Sequence, residues 1–97
     1  MVLEQPAREA ITVEAVLTAL SHPVRLRVVR TLARGGEMTC QAILPEMTKS
    51  SASHHWRVLR ESGVVEQRRV GRYLYQLLRR EDLDARFPGL LDAVIEG

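Results

Sequence analysis

Residues 48–63 of this 97-residue chain, TKSSASHHWRVLRESG, run directly into residues 64–78, VVEQRRVGRYLYQLL, and these two segments decide the fold. The first segment has the pattern of an amphipathic helix. Its apolar positions recur at i, i+4, i+7 and i+11, a spacing that places them on one side of a helix. These positions are Ala52, Trp56, Leu59 and Gly63. Thr48 and Ser50 are both suitable N-cap residues, so the pattern predicts that the helix begins beside them.

A second side of the predicted helix is polar and basic. Its members are Ser50, Ser53, His54, Arg57 and Glu61, spaced at i, i+3, i+4, i+7 and i+11. Arginine can donate two hydrogen bonds to a guanine edge, and short hydroxyls and imidazoles reach phosphates and bases. The helix start, with Lys49 and Ser51, also offers free N–H groups to phosphate. An ordinary solvated face would have a similar composition, so the helix alone leaves both interpretations open.

The second segment predicts a two-stranded hairpin. Residues 64–69 and 73–78 are short runs rich in Val, Tyr and Leu, and Gly71 between them provides the backbone freedom that a tight turn needs. Three arginines, Arg68, Arg69 and Arg72, lie at or near the predicted tip. A basic tip packed beside a groove-reading helix would reach the flanking DNA backbone or the minor groove, which favours the DNA interpretation.

The distribution of charge agrees with that interpretation. Residues 49–72 contain six basic and two acidic residues, a net charge of +4, whereas the whole chain has a formal charge of only +2. The remainder of the chain is therefore acidic on balance. A concentration of positive charge on two adjacent elements is the electrostatic pattern expected of a nucleic-acid-binding surface.

The whole chain has the size and composition of one small globular domain. We expect a flexible leader at residues 1–8 and a single domain at residues 9–97. No apolar run is long enough for a transmembrane helix, and the N-terminus lacks a signal-peptide pattern. Cys40 is the only cysteine, which excludes an internal disulfide and fits the reducing cytoplasm.

Two further helices are predicted before the central segments. The first covers residues 9–20 and has an apolar stripe formed by Ala10, Val13, Val16, Leu17 and Leu20. In the second, Ser21 is a candidate N-cap, Pro23 fits the first turn, and the Gly35-Gly36 pair ends the helix. Its polar row is Arg27, Arg30 and Arg34, which we interpret as a solvated face.

Shorter elements complete the prediction. A brief extended piece at residues 37–39 precedes a short helix that Thr39 could cap and Pro45 would close. The last helical segment has acidic residues at its start and an apolar side, and Pro88 makes it either one kinked helix or two short ones. That apolar side consists of Leu83, Phe87, Leu90, Leu91, Val94 and Ile95. It should pack against another surface, and the stripe of the first helix matches it.

Three motifs show a resemblance to a known family. They are ALSHPVRLRVVRTLARGGEMT (residues 19–39), SSASHHWRVLRESGVVEQRR (residues 50–69) and GRYLYQL (residues 71–77). With them the sequence resembles the ArsR-like family of winged helix-turn-helix transcriptional repressors. The resemblance implies a mainly α fold with a small β-hairpin, the wing. It also implies a homodimer formed by the first and last helices, a palindromic DNA site, and often an inducer.

The implied site residues form two sets. The DNA-binding set is Lys49, Ser50, Ser51, Ser53, His54, Arg57, Arg68, Arg69 and Arg72. The dimer set is Val13, Val16, Leu17, Leu20, Phe87, Leu90, Leu91 and Val94. His55 lies nearer the apolar side of its helix than His54 does, so we interpret it as a structural residue.

The chain departs from the metal-sensing members of that family. Such members often have paired cysteines at the short helix before the recognition helix, whereas this chain has Cys40 alone. Thiophilic ions need two or three thiolates, so we expect no metal or other cofactor there and interpret Cys40 as a small buried residue. Other members of the family bind zinc through histidines and carboxylates on the last helix, where this chain has Asp82, Asp84, Asp92 and Glu96 but no histidine. Three alternatives therefore remain for the inducer: none at all, an unidentified organic small molecule, or a metal at a site that these motifs do not show.

Two functions remain open at this stage. The first is a dimeric, sequence-specific DNA-binding repressor, with double-stranded DNA and a second copy of the chain as its partners. The alternative is a protein-interaction module that uses its apolar helices and leaves the basic face unused. Enzymatic activity is not expected, because Ser53, His54 and His55 are sequence neighbours whose side chains diverge by about 100° per residue around a helix.

Overall fold

The computed structural model describes residues 1–97 and shows a winged helix-turn-helix, the predicted fold class. Six α-helices and three β-strands follow one another in the order α1 (Val13–Leu20), α2 (Pro23–Gly35), β1 (Met38–Thr39), α3 (Cys40–Ile43), α4 (Lys49–Glu61), β2 (Val65–Val70), β3 (Tyr73–Leu78), α5 (Arg80–Arg86) and α6 (Leu90–Glu96). None of the helices, of which the longest have 13 residues, could span a membrane.

Side-chain caps fix where the helices begin. The hydroxyl oxygens of Thr12, Thr39 and Thr48 accept hydrogen bonds from backbone N–H groups in the first turns of α1, α3 and α4. Two predictions are confirmed by these caps, namely Thr39 for the short helix and Thr48 for the central one. At α2 the cap is His22 rather than Ser21, because His22 Nδ1 accepts from the N–H of Val24 at 3.1 Å.

The first predicted helix is too long at its start. Residues 9–20 contain only the end of a single 3-10 turn (Arg8–Ala10) and then α1, which begins at Val13. The chain is extended at Thr12, and this allows Ile11 to enter the core with 1% of its surface exposed. Ala10, which the stripe placed inside, is exposed.

The C-terminal segment consists of two short helices rather than one kinked helix. Helix α5 ends at Arg86, and α6 begins at Leu90 after a turn that contains Pro88 and Gly89. Leu83 of α5 and Leu91 of α6 are both buried in the core. Proline cannot continue the hydrogen-bond ladder of a helix, so the break falls where the sequence placed it.

The predicted hairpin is confirmed and is part of a larger sheet. Strands β2 and β3 pair antiparallel from Val65 opposite Leu78 to Val70 opposite Tyr73, and the two residues between them form the turn. Gly71 in this turn has φ 60, a conformation that glycine adopts without steric cost. Strand β1 pairs with the other edge of β3, so the sheet order is β1-β3-β2.

One hydrophobic core joins the helices to the sheet. Its members are Ile11, Val16, Ala19, Leu20, Val28, Val29, Leu32, Ile43, Leu44, Ala52, Trp56, Leu59, Val64, Val65, Leu83 and Leu91. Helix α4 contributes Ala52, Trp56 and Leu59, the apolar side predicted from their spacing. The opposite side of α4 is consequently turned away from the core.

The first residues of the chain lie along the outer edge of β2. The N–H of Leu3 donates to the carbonyl of Gln67 at 2.9 Å, and the N–H of Arg69 donates to the carbonyl of Met1 at 2.7 Å. Farther along, the carbonyl of Pro6 accepts from Arg79 at 2.6 Å. Residues 1–8, expected to be a flexible leader, therefore contact the wing and the C-terminal half of the domain.

Gly63 allows the start of the chain to pack closely against the end of α4. It has φ 85, and a Cβ atom placed there would lie 2.6 Å from Cγ1 of Ile11. Any other residue would therefore be strained in its backbone and would collide with the core.

Candidate nucleic-acid interface

The outer side of α4 is an exposed polar surface. Every α4 member of the predicted DNA-binding set is solvent-exposed, namely Lys49, Ser50, Ser51, Ser53, His54 and Arg57. The Thr48 hydroxyl accepts a hydrogen bond from the N–H of Ser51 at 3.1 Å and donates one to the Ser51 hydroxyl oxygen at 2.9 Å, so the first turn of the helix is fixed. The remaining N–H groups at this helix start are free to meet an anion.

A buried arginine holds the inner side of α4 against α1. Arg25 is 8% exposed and donates from Nε to the carbonyl of Ala19 at 2.7 Å and from Nη2 to the carbonyl of Thr18 at 3.2 Å. Its Nη1 lies 3.2 Å from Nδ1 of His55. A guanidinium has donors only, so His55 Nδ1 accepts, and its ring is neutral with the proton on Nε2. The sequence does not identify Arg25 as a buried residue, because it is a single charged residue among the apolar residues of α2 and no pattern marks it.

His55 is the structural residue that the sequence predicts. Its ring centroid lies 4.5 Å from that of His22. Burial lowers the pKa of His55 below its ordinary value of 6.5, and the nearby His22 and Arg25 lower it further. The ring of His55 must be neutral to accept the hydrogen bond from Arg25. The lowered pKa favours this neutral form.

The three arginines of the wing do not share one environment. Arg69 and Arg72 are exposed and form no ion pair, whereas the guanidinium of Arg68 is half-buried and bound to the carboxylate of Glu37. Glu37 precedes β1, which lies at the opposite edge of the sheet from β2. The sequence could not separate Arg68 from its neighbours because this contact joins residues 31 positions apart.

Helix α4 and the wing border one concave surface. Members of the predicted DNA-binding set from both elements line it, namely Lys49, Ser53, Arg57, Arg69 and Arg72. None of the four basic residues among these five is in an ion pair. The structure thus brings together the two elements that the sequence connected only by charge.

Comparisons with known proteins agree with this geometry. A family model described as a helix-turn-helix domain matches residues 20–68, half of the chain. The arsenic resistance transcriptional regulator of Pseudomonas putida is 33% identical over 91 residues, which cover 89% of this chain and 71% of that protein. This chain belongs to the ArsR-like family of helix-turn-helix transcriptional regulators. The resemblance inferred from the three motifs is confirmed.

Two other proteins are similar to this ArsR-like regulator over most of its length. An uncharacterized helix-turn-helix transcriptional regulator of Bacillus subtilis, YceK, is 33% identical over 82 residues, which cover 81% of this chain and 82% of that protein. The crystal structure of the transcriptional repressor BigR from Xylella fastidiosa has a TM-score of 0.66 at 34% identity. That match covers 87% of this chain and 83% of the other.

The predicted dimer set of this ArsR-like regulator falls into two groups. Val16, Leu20 and Leu91 are core residues of the single chain, with 1%, 7% and 2% exposure, so they are not available to a partner. Val13 and Leu17 are exposed, and Phe87, Leu90 and Val94 are half-buried. The predicted stripe of α1 therefore has two sides, and only one of them is turned toward solvent.

The arginine row of α2 is not the uniform solvated face that we expected. Arg30 donates to the carbonyls of Val94, Ile95 and Gly97, at 3.2, 3.2 and 2.9 Å, and so caps the end of α6. Arg27 is paired with the carboxylate of Glu46, and Arg34 alone is exposed without a partner.

Cys40 lies at the inner end of the concave surface. It is half-buried, and Nε2 of Gln76 donates to its sulfur at 3.0 Å. Burial raises the pKa of the Cys40 thiol, so the uncharged form is favoured. No group of three or more His, Cys, Asp or Glu side chains is placed to hold a metal ion.

Proposed function

We propose that this ArsR-like regulator is a sequence-specific DNA-binding transcriptional repressor that acts in the cytoplasm. One observation supports this most directly: the exposed Ser53 hydroxyl and the unpaired cations of α4 and the wing border a single surface. Several cations that share one surface and have no carboxylate partner produce a positive potential there, which attracts a polyanion such as DNA.

In the proposed complex, α4 enters the major groove as the recognition helix. Ser53, His54 and Arg57 on its outer side contact base edges, and Arg57 provides the bidentate contact to guanine. Lys49, Ser50 and Ser51 at the helix start contact phosphate, aided by the free N–H groups. On the wing, Arg69 and Arg72 contact the flanking backbone or minor groove, and Arg68 can join them only if it leaves Glu37.

We further propose that the regulator binds a palindromic operator as a homodimer. The exposed apolar side chains of Val13 and Leu17, one turn apart on α1, support this, since contiguous exposed apolar surface marks an interaction site. The half-buried Phe87, Leu90 and Val94 would complete the interface. Two protomers related by a two-fold axis would present two recognition helices to the two half-sites.

A titration of fluorescently labelled duplexes, followed by anisotropy, tests the DNA proposal. Duplexes selected from a random pool should bind more tightly than unselected ones. The logarithm of the binding constant should fall linearly with the logarithm of salt concentration, because cationic side chains displace counterions from phosphates. Binding to no duplex at any salt concentration would exclude the proposal.

The exposed α1 face also supports a second candidate, a module that binds a foreign protein through Val13 and Leu17. Sedimentation equilibrium separates the two. A homodimer that Leu17→Glu converts to a monomer supports the repressor, whereas a wild-type monomer at all concentrations favours the module. No catalytic activity is proposed, since the family consists of transcriptional regulators.

A further inference from the structure

The concave surface between α4 and the wing is the wall of a half-open cavity of about 690 Å³. This volume is within the range of sites that hold small organic molecules. The inner part of the cavity is apolar and is formed by Leu44, Met47, Ala52, Trp56 and Leu74. These residues come from α4, β3 and the turn before α4, so the cavity has a wall from each element of the DNA-binding half.

The rim of the cavity is strongly basic. Five cationic residues line it, namely Lys49, Arg57, Arg60, Arg69 and Arg72, and no aspartate or glutamate does. None of the five takes part in an ion pair. A site with apolar walls and a rim of one charge fits a molecule that has an apolar body and a group of the opposite charge.

Arg60 adds an independent observation. It is half-buried on the inner side of α4, and its Nη1 donates to the carbonyl of Glu4 at 3.0 Å. Its Nε is buried and has no hydrogen-bond partner. A buried donor without a partner costs free energy, so the fold leaves the guanidinium of this cavity-lining residue incompletely satisfied.

We propose that this cavity binds an organic carboxylate with an apolar body, and that the bound carboxylate weakens DNA binding. The apolar body lies against Trp56 and Met47, and the carboxylate lies at the basic rim with Arg60 as one of its partners. Lys49, Arg57, Arg69 and Arg72 would be shared with DNA phosphates and bases. Bound carboxylate and DNA therefore compete for the same cations. The competition with DNA rests on the proposed function, whereas the carboxylate site itself does not.

Trp56 makes the binding site testable without DNA. It is the only tryptophan of the chain and lies in the cavity wall, so its fluorescence reports directly on occupancy. Decanoate is a suitable probe because it does not absorb in the tryptophan range. We expect a saturable change in Trp56 fluorescence with decanoate below its micelle-forming concentration. Acetate, which lacks the apolar body, and decylammonium, which has the opposite charge, should produce no such change.

Matched variants test the position of the carboxylate. Arg60→Met keeps most of the side-chain stem and removes the charge, and it should weaken decanoate binding about tenfold or more, the effect of one lost charge-assisted hydrogen bond. Arg60→Lys should retain part of the affinity. Arg34→Met removes an exposed arginine of α2 outside the cavity and should bind as the wild type does. Thermal melts identify any variant that fails to fold, and Lys49→Met then replaces Arg60→Met.

Three results would overturn the binding site: no saturable fluorescence change, an equal change with decylammonium, or unchanged affinity in every folded rim variant. Competition is measured separately, as the loss of duplex anisotropy on adding decanoate. Decanoate binding without displacement of bound duplex would overturn the regulatory half alone. If no duplex binds in the first place, the proposed function fails while the fluorescence titration still decides the site.

Discussion

Two groups of arginines in this protein have different environments. Around the two ends of the chain and α5, Arg8, Arg79 and Arg80 bind carboxylates, and Arg30 and Arg86 bind backbone carbonyls. On α4 and the wing, Arg57, Arg69 and Arg72 have neither kind of partner. The count of basic residues therefore does not locate a polyanion site. A group of unpaired cations on one surface locates it.

The paired region illustrates how the charges are satisfied. Burial opposes ionisation of Asp82, but hydrogen bonds from Arg8 at 2.6 Å and Arg79 at 2.9 Å hold its pKa below the ordinary value. This carboxylate thereby joins the start of the chain to α5. Arg8 and Arg79, which bind it, are structural residues, although the sequence alone does not distinguish them from the arginines of the wing.

The largest effect on stability should come from Arg25, a buried arginine whose side chain has hydrogen-bond partners. Arg25→Met removes three hydrogen-bond contacts and leaves the carbonyls of Thr18 and Ala19 without this donor. We expect the free energy of unfolding to fall by about 2–4 kcal/mol, because Arg25 is buried and its partners cannot all turn to water. Urea denaturation measures the change. The control Arg34→Met should stay within about 0.5 kcal/mol of wild type. Equal effects of the two substitutions would contradict the distinction between satisfied and free arginines.

The next effect concerns a free arginine on α4. Arg57→Ala should leave the free energy of unfolding unchanged and weaken binding to a selected duplex by about 1–3 kcal/mol, the cost of a lost base contact. Preference among duplexes should relax at one base position. Anisotropy titrations at constant salt measure both quantities. An unchanged order of preference would show that Arg57 does not contact bases.

A smaller and more uniform effect is expected at the wing. Arg72→Ala should weaken binding to all duplexes by a similar factor, because a phosphate contact has no sequence information. The slope of the logarithm of affinity against the logarithm of salt should become less steep by about one. A change in preference among duplexes would instead assign Arg72 to base contact in the minor groove.

The smallest effect involves the histidine that holds α4. The pKa of His55 is lower in the folded protein than its ordinary 6.5, so the unfolded chain takes up this proton at a higher pH than the folded chain does. The neutral ring of His55 therefore makes its full contribution to the free energy of unfolding above about pH 6.5. This contribution is lost as the pH falls below that value. Urea denaturation of wild type and His55→Gln should show a weaker pH dependence in the variant over this window. The exposed His54→Gln variant serves as the control and should keep the wild-type dependence.

Local signals in the sequence were sufficient for the elements of the DNA-binding half. The spacing of Ala52, Trp56 and Leu59 and the cap at Thr48 predicted α4, and Gly71 between two apolar runs predicted the wing. Each of these signals depends on residues that are neighbours in the chain. The break at Pro88 was also located, although only the structure shows that two separate helices result.

Contacts between distant parts of the chain could not be predicted. The start of α1 was wrong because Ile11 packs on Gly63, a contact that no periodicity shows. Arg68 could not be separated from Arg69, since its partner Glu37 lies on another element. Val16 and Leu20 were assigned to a dimer interface because a stripe shows which residues are apolar, but not whether they face their own core or a second chain.

The pairing of the first residues with β2 has a consequence for solubility. Without Met1 and Leu3 beside it, β2 would be an open edge strand whose backbone donors and acceptors could pair with another sheet. Its sequence has alternating buried and outward side chains, which favours such pairing. A chain trimmed before Pro6 should therefore form oligomers through its wings at high concentration. Residues 1–3 thus cover the edge of the wing and leave Arg69 and Arg72 exposed.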